Sequence, residues 1–311
     1  MKKTLKAIRS KLPSKAQVAG AVQGVIGDKL PKRFATEMAF YADEKPLDLA
    51  APLGAKHAVV FIHGSSDTEH GWQPKAPGQN FGAQLATDFS VAPLYLRYNS
   101  GLAVSENGEK LSALLEDFAA AQKPLRRLTL IAHSMGGLIA HSAIYHARAQ
   151  QRSWLKKLTQ VFLLGTPHTG APLAQIAEKG EQILQFIPNP VTLIAASVIG
   201  LRSRGLKDLS KGQIGLPAEG SVLQQGVKYV FIAGGMQKKP TGLLNRLMGD
   251  GMVRSQSAVQ GQKPDVRWYK RLFALVKRSP DIRVENLPGT NHLALRTSAE
   301  VYRVIRSHFS A

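Results

Sequence analysis

Leu128-Thr129-Leu130-Ile131-Ala132-His133-Ser134-Met135-Gly136-Gly137 is the stretch on which the reading of this chain turns. Residues 128–132, apolar but for Thr129, predict a strand, and the Ala-rich segment from Gly136 to about Arg148 predicts a helix. Ser134 falls on the joint between them. A serine so placed is forced onto a tight turn, and small residues two before (Ala132) and two after (Gly136) let the backbone pass closely. The hydroxyl is thereby presented above a sheet, with a helix N-terminus behind it that favours developing negative charge. Alanine at 132 stands where the common form of the pattern has glycine. The bland alternative, a serine that merely caps the helix, does not explain the small residues on both sides.

Outward from this joint, apolar runs alternate with helical spacing. Ala58–Ile62 closes in His63-Gly64 and reads as a buried strand, and Val91–Tyr98 ends in the turn cluster Asn99-Ser100-Gly101. Ser105 is the expected N-cap of a helix whose apolar positions are Leu111, Leu114, Leu115 and Phe118. Further strands are expected at 161–164 and 227–233, with a short one at 282–284. Such alternation predicts an α/β fold with a mostly parallel sheet covered on both faces. About sixty residues between Thr166 and Val227 pass without a strand, too long for a plain connection. They are read as a helical insertion over the sheet edge at about 171–226, the alternative being a pair of core helices.

A serine hydroxyl needs a base to take its proton. His292, in Pro288-Gly289-Thr290-Asn291-His292-Leu293 after the last expected strand, is the choice. His308 lies in an amphipathic C-terminal helix, and His133 and His141 are too close in sequence to face Ser134 across a sheet. The base in turn needs an acid between 134 and 292. Asp250, in Met248-Gly249-Asp250-Gly251, fits, whereas Asp208, Asp265 and Asp281 read as caps or surface charges. Two backbone amides are required for an oxyanion. That of Met135 follows the nucleophile directly, and that of Ser65 lies in the loop after the first strand, where Gly64 permits close approach.

Composition bounds the remaining classes. Of 311 residues none is cysteine, which excludes disulfides, thiolate metal sites and a cysteine nucleophile. The net charge is +20, and residues 1–33 hold nine Lys or Arg against Asp28 alone. This arm reads either as a docking element for anionic lipid or nucleic acid, or as a solvated tail. It has no aromatic residue before Phe34 on which a base would stack, so no nucleic-acid partner is expected. The basic stretch 267–278, with Trp268, Tyr269 and Phe273, is the one feature on the other side. Lys6, Arg9, Lys11 and Lys15 interrupt every run that would serve as a secretory signal, although the arm shares the basic, acid-poor character of import presequences. The longest apolar run, 191–201, is about half of a transmembrane span. The expected location is the cytoplasm, with the arm as a peripheral contact to an anionic membrane. Residues 1–50 are accordingly read as arm and lead-in, and 51–311 as one catalytic domain.

His63-Gly64, Tyr98-Asn99-Ser100-Gly101, Ser105-Glu106-Asn107-Gly108, Ala132–Gly137, Gly165-Thr166-Pro167-His168-Thr169-Gly170, Gly249-Asp250-Gly251 and Asn291-His292-Leu293 occur in this order. Together they resemble the α/β-hydrolase superfamily, in particular bacterial lipases and GPI-inositol-deacylase-like serine esterases, over roughly residues 57–296. The resemblance implies the α/β-hydrolase fold, an eight-stranded type of sheet, carboxylic ester hydrolysis through Ser134, Asp250 and His292, and a lid after Thr166-Pro167-His168. It implies no cofactor. Secreted lipases of this kind often place a calcium-binding aspartate two residues after the histidine; here the position is Ala294, so no such metal site is expected. The expected substrate is a small-molecule or lipid ester. Acyl transfer, thioester or amide cleavage, and a non-catalytic binding role for the scaffold remain as alternatives.

Overall fold

The computed structural model describes residues 15–42, 45–73, 80–168, 203–211, 223–235 and 281–310. Eight strands form one sheet: β1 (Ala39–Ala42), β2 (Lys45–Pro46), β3 (His57–Ile62), β4 (Ala92–Arg97), β5 (Arg127–His133), β6 (Leu158–Leu164), β7 (Lys228–Gly235) and β8 (Asp281–Pro288). Their order is β2-β1-β4-β3-β5-β6-β7-β8. From β4 through β8 every neighbour is parallel, while β1 runs antiparallel to both β2 and β4. The sheet is thus mostly parallel and carries an antiparallel edge. The lead-in contributes that edge, which the sequence patterning did not reveal.

The central strands are predominantly apolar because both of their faces are covered. Ala58, Val60 and Ile62 of β3 point to one core with Leu128, Leu130 and Ala132 of β5 and Val161 and Leu163 of β6. Val59, Phe61, Ile131, Phe162 and Leu164 point to the other. Successive residues therefore feed opposite faces, as the period of two demands. The first face is covered by α3 (Val104–Ala121) and α4 (Met135–Ala149). Leu111, Leu115 and Phe118 of α3 and Leu138, Ile139 and Ile144 of α4 are fully buried there. At about 1.5–3 kcal/mol for each large apolar side chain, these six alone far exceed any local propensity of the helices. The second face is covered by α2 (Phe81–Phe89), by Trp72, and by α6 (Ala299–His308) through Val301 and Ile305.

Two sequence expectations need correction. Helix α3 begins at Val104, so Ser105 lies inside its first turn and is not its N-cap; the capping residue Ala103 has no side-chain acceptor. The acceptor is remote: Asp208 Oδ2 takes the Val104 N–H at 2.9 Å. Asp208 belongs to α5 (Arg204–Lys211), which packs Leu206 and Leu209 into the first core. It acts as a cap, but of a helix a hundred residues earlier. The last strand, expected over 282–284, runs over eight residues in register with β7 from Lys228↔Asp281 to Gly235↔Pro288. It is an edge strand carrying Asp281, Arg283 and Glu285, charges that discourage pairing with another chain and hide the strand from an apolarity reading.

The described part of the N-terminal segment also folds. Helix α1 (Lys15–Ile26) is followed by two short 3₁₀ turns before β1. No described helix is long and apolar enough to cross a membrane. Within the expected insertion at about 171–226, residues 171–202 and 212–222 lie outside the described residues.

Candidate active site

Strand β5 ends at His133 and α4 begins at Met135, which leaves Ser134 alone at the corner. Its backbone has φ 54° and ψ −125°, a conformation that costs a residue with a β-carbon about 1–3 kcal/mol. The neighbours hold it there. The Ser134 N–H donates to the Leu164 carbonyl of β6 at 2.9 Å, and the Gly137 N–H donates back to the Ser134 carbonyl at 3.0 Å. A β-carbon at Gly136 would sit 2.5 Å from the His63 carbonyl and 2.7 Å from that of Ile62, so only glycine lets the helix start this close to β3. The Met135 N–H, first in the helix, has no intrahelical acceptor by position and points with the helix dipole toward the corner.

The loop after β3 comes up against the same corner. A β-carbon on Gly64 would lie 3.1 Å from Ser134 Cβ and 3.2 Å from His133 Nδ1. Ser65 is buried. Ser66 has φ 56° and spends its N–H on Ser100 Oγ at 3.0 Å. The start of the loop is fixed from β4: the Tyr98 hydroxyl donates to the His63 carbonyl at 2.7 Å, and the two rings stack with centroids 4.1 Å apart. The His63 Nδ1–H donates to the Gly64 carbonyl at 2.8 Å. Burial lowers the pKa of this imidazole, against the opposing pull of Asp67, the Gly64 carbonyl and Glu69.

His292 follows β8 and is almost fully buried. Its loop is tied to the end of β7, since Gly235 N–H donates to Thr290 O at 3.0 Å and Gly289 N–H to Gly235 O at 2.6 Å. Asn291 Oδ1 accepts the Ala294 N–H at 2.9 Å, closing the turn just beyond. His133 supports it from below: its Nε2–H donates to the His292 carbonyl at 3.0 Å, and the two rings are 4.5 Å apart. On the other side Gly165, at the end of β6, leaves only enough room that a β-carbon would be 3.0 Å from His292 Cε1 and Nδ1.

Ion pairs brace these loops. Arg296, four residues after His292, pairs with Asp67 of the β3 loop, both largely buried. Arg97 Nε donates to Glu69 at 2.7 Å, and its Nη2 completes a fork on the same carboxylate. Burial opposes ionisation of Glu69, yet its bonds to Arg97 and the nearby His70 and Arg97 charges hold its carboxyl below the usual range.

Ser134, Met135, Ser65 and His292 thus all lie at the C-terminal ends of parallel strands, the edge where ligands bind in open α/β sheets. Asp250 lies outside the described residues, as do Asp265 and the stretch 267–278. Asp281 opens β8 and pairs with Arg283 at 3.1 Å on the surface. His308 binds Glu285 at 2.7 Å, far from the corner in role. Among the described residues no group of three His, Asp or Glu is arranged to hold a metal. Sequence reasoning missed His133, Tyr98, Asp67 and Arg296 as supports. Tyr98 and His133 carried a signal, through their places in the Tyr98–Gly101 and Ala132–Gly137 motifs.

Residues 59–304 match the alpha/beta hydrolase family. None of the curated proteins matches the sequence. Among solved structures, the mature form of the Bacillus licheniformis lipase BlEst2 is similar with TM-score 0.53 and 18% identity, over 87% of this chain and 96% of that one. Aspergillus fumigatus lipase B gives 0.52 and 13%, over 88% and 56%. The type II thioesterase BorB of the borrelidin biosynthetic cluster gives 0.50 and 13%, over 87% and 95%. At such identities these likenesses establish the fold.

Proposed function

We propose, on the premise that this chain belongs to the alpha/beta hydrolase family, that it hydrolyses carboxylic esters of the lipase or esterase kind through an acyl-enzyme on Ser134. The observation that carries the reading is the strained backbone of Ser134 at a strand–helix corner pressed against Gly64. Strain of this sort persists only where the surroundings enforce it, and here it lifts a hydroxyl out of the sheet.

In the proposed reaction the Ser134 hydroxyl attacks the ester carbonyl while His292 accepts its proton. Asp250 fixes the tautomer of His292 and stabilises the imidazolium. The amides of Ser65 and Met135 receive the oxyanion. Collapse expels the alcohol, protonated by His292, and water activated by the same imidazole then releases the acid and regenerates the serine. Esters presented at an anionic membrane are the favoured substrates, because the basic arm supplies the attraction such a surface rewards.

The test is Ser134→Ala on p-nitrophenyl esters of graded chain length, with fluorophosphonate labelling of the folded wild type. Turnover should fall by several orders of magnitude and labelling should vanish. Unchanged turnover ends the nucleophile assignment, and a preference for the shortest esters ends the lipid one. A panel that pairs each oxoester with its thioester and amide, with and without an alcohol acceptor, separates hydrolysis of esters from the neighbouring chemistries of this fold.

A further inference from the structure

We propose that helix α1 is a structural part of the oxyanion hole, with Gly24 as the positioning residue that sets the backbone at Ser65 and Ser66; this rests on the ester-hydrolase reading above. Gly20, Gly24 and Gly27 recur at helical spacing and line one face of α1 and the turn that follows it. Glycine is a poor helix former, so its repetition on one face is expected only where something lies too close for a side chain. The structure supplies that something. A β-carbon at Gly24 would lie 2.0 Å from Ser66 Oγ and 2.6 Å from Ser66 Cα. One at Gly20 would lie 2.8 Å from the Asp67 carbonyl and 2.6 Å from Thr68 Cγ2. One at Gly27 would lie 2.1 Å from Asn99 Oδ1. The helix is laid along the oxyanion loop backbone against backbone.

The contact is also locked from outside. Carbonyls at the C-terminal end of α1, which no amide of the helix satisfies, are taken by distant residues. Ser203 donates through its hydroxyl to Gly24 O at 2.6 Å and through its N–H to Val25 O at 2.8 Å, and Asn99 Nδ2 donates to Gly27 O at 3.0 Å. Asn99 Oδ1 accepts from Gly101 N–H at 3.0 Å, which shapes the turn that presents Ser100. Ser100 Oγ in turn holds the Ser66 N–H. The Ser65–Ser66 peptide therefore has Ser134 against Gly64 on one side, Ser100 on a second and α1 on a third. Gly64 has no room to recede, so a displacement of Ser66 falls on Ser65, the expected oxyanion donor.

The experiment uses the full-length chain carrying Gly24→Ala, assayed with p-nitrophenyl butyrate and with the corresponding thionoester, whose sulfur accepts oxyanion-hole hydrogen bonds poorly. Loss of a whole oxyanion donor costs about 100- to 1,000-fold, and a displaced one about 10- to 100-fold. The expected result is a fall of that second size in kcat with KM within about twofold and fluorophosphonate labelling retained. The oxoester-to-thionoester ratio should fall with it. Adding Ser66→Gly, which removes Oγ and Cβ, two of the three atoms nearest the Gly24 position, and readily takes φ 56°, should recover part of both. This double variant also decides the matter should Gly24→Ala alone not fold. Unchanged kcat and ratio overturn the proposal, and so does a loss of kcat with the ratio unchanged, which marks α1 as a support of stability alone. The parent reading fails differently: wild type would then show neither turnover nor labelling at Ser134.

Discussion

Replacing His133 with Phe keeps a ring against His292 and against Trp72, whose centroid is 6.3 Å away, but removes the N–H that donates to the His292 carbonyl. That carbonyl belongs to a residue only 1% exposed, so water is not a ready substitute. A buried acceptor left without its donor costs about 1–3 kcal/mol. Part of this appears as lost stability and part as a base that spends less time aligned with Ser134. If the whole amount falls on the transition state, kcat drops about 5- to 150-fold. His133→Gln carries an amide N–H at nearly the same reach and should hold kcat within about threefold of wild type. The assay is kcat on p-nitrophenyl butyrate for the three chains, alongside urea unfolding to separate the stability share. Full activity in the Phe variant would refute the argument. So would a Gln variant as slow as Phe, since then the ring and not the bond is what matters.

Asp67→Ala leaves Arg296 largely buried without its partner and should destabilise the chain by about 2 kcal/mol, with little dependence on salt; denaturant midpoints at low and high ionic strength check both, and a loss under about 0.5 kcal/mol would count against a brace here. Asp208→Ala removes the remote cap of α3 and should cost about 1 kcal/mol by thermal unfolding, whereas no change would mean that water caps the helix equally well. His57, bonded to Thr129 Oγ1 at 2.9 Å and stacked on Phe309, has its pKa lowered from 6.5 to about 4, first by burial and then by Arg127. The unfolded chain therefore binds a proton that the folded one refuses, so stability should decline as pH falls from about 6.5 to about 4 and level off below. His57→Gln should flatten this window of the stability curve, and an identical curve would assign the acid sensitivity elsewhere.

The strands and the corner were legible because their signals are local. The apolar run at 58–62 and the nearly apolar one at 128–132 have no other economical use, and the small residues around Ser134 state a steric need that the contact of Gly136 with His63 makes explicit. What escaped depends on partners far away in the chain. Val104 opens α3 because of a carboxylate at 208, and nothing near Ser105 records that. Strand β8 is polar because most of its side chains are exposed, and β1 with β2 is too short to establish a period. His133 was set aside as a base on sound geometric grounds, but the same geometry aims it at the backbone of His292. The glycines of α1 look like poor helix formers until the loop after β3 is laid against them.

The strand order has a bearing on synthesis from the ribosome. After β3, strands β5, β6, β7 and β8 join one flank of the sheet strictly in the order in which they are translated, while β4 and β1 fill the opposite flank. Everything from β1 to β6 is encoded by residue 164, so the nascent chain can raise the serine corner and dock α1 on residues 66–68 before β7 and β8 are made. His292 and the Arg296 brace follow β8, so the loop that holds them is made only after all eight described strands.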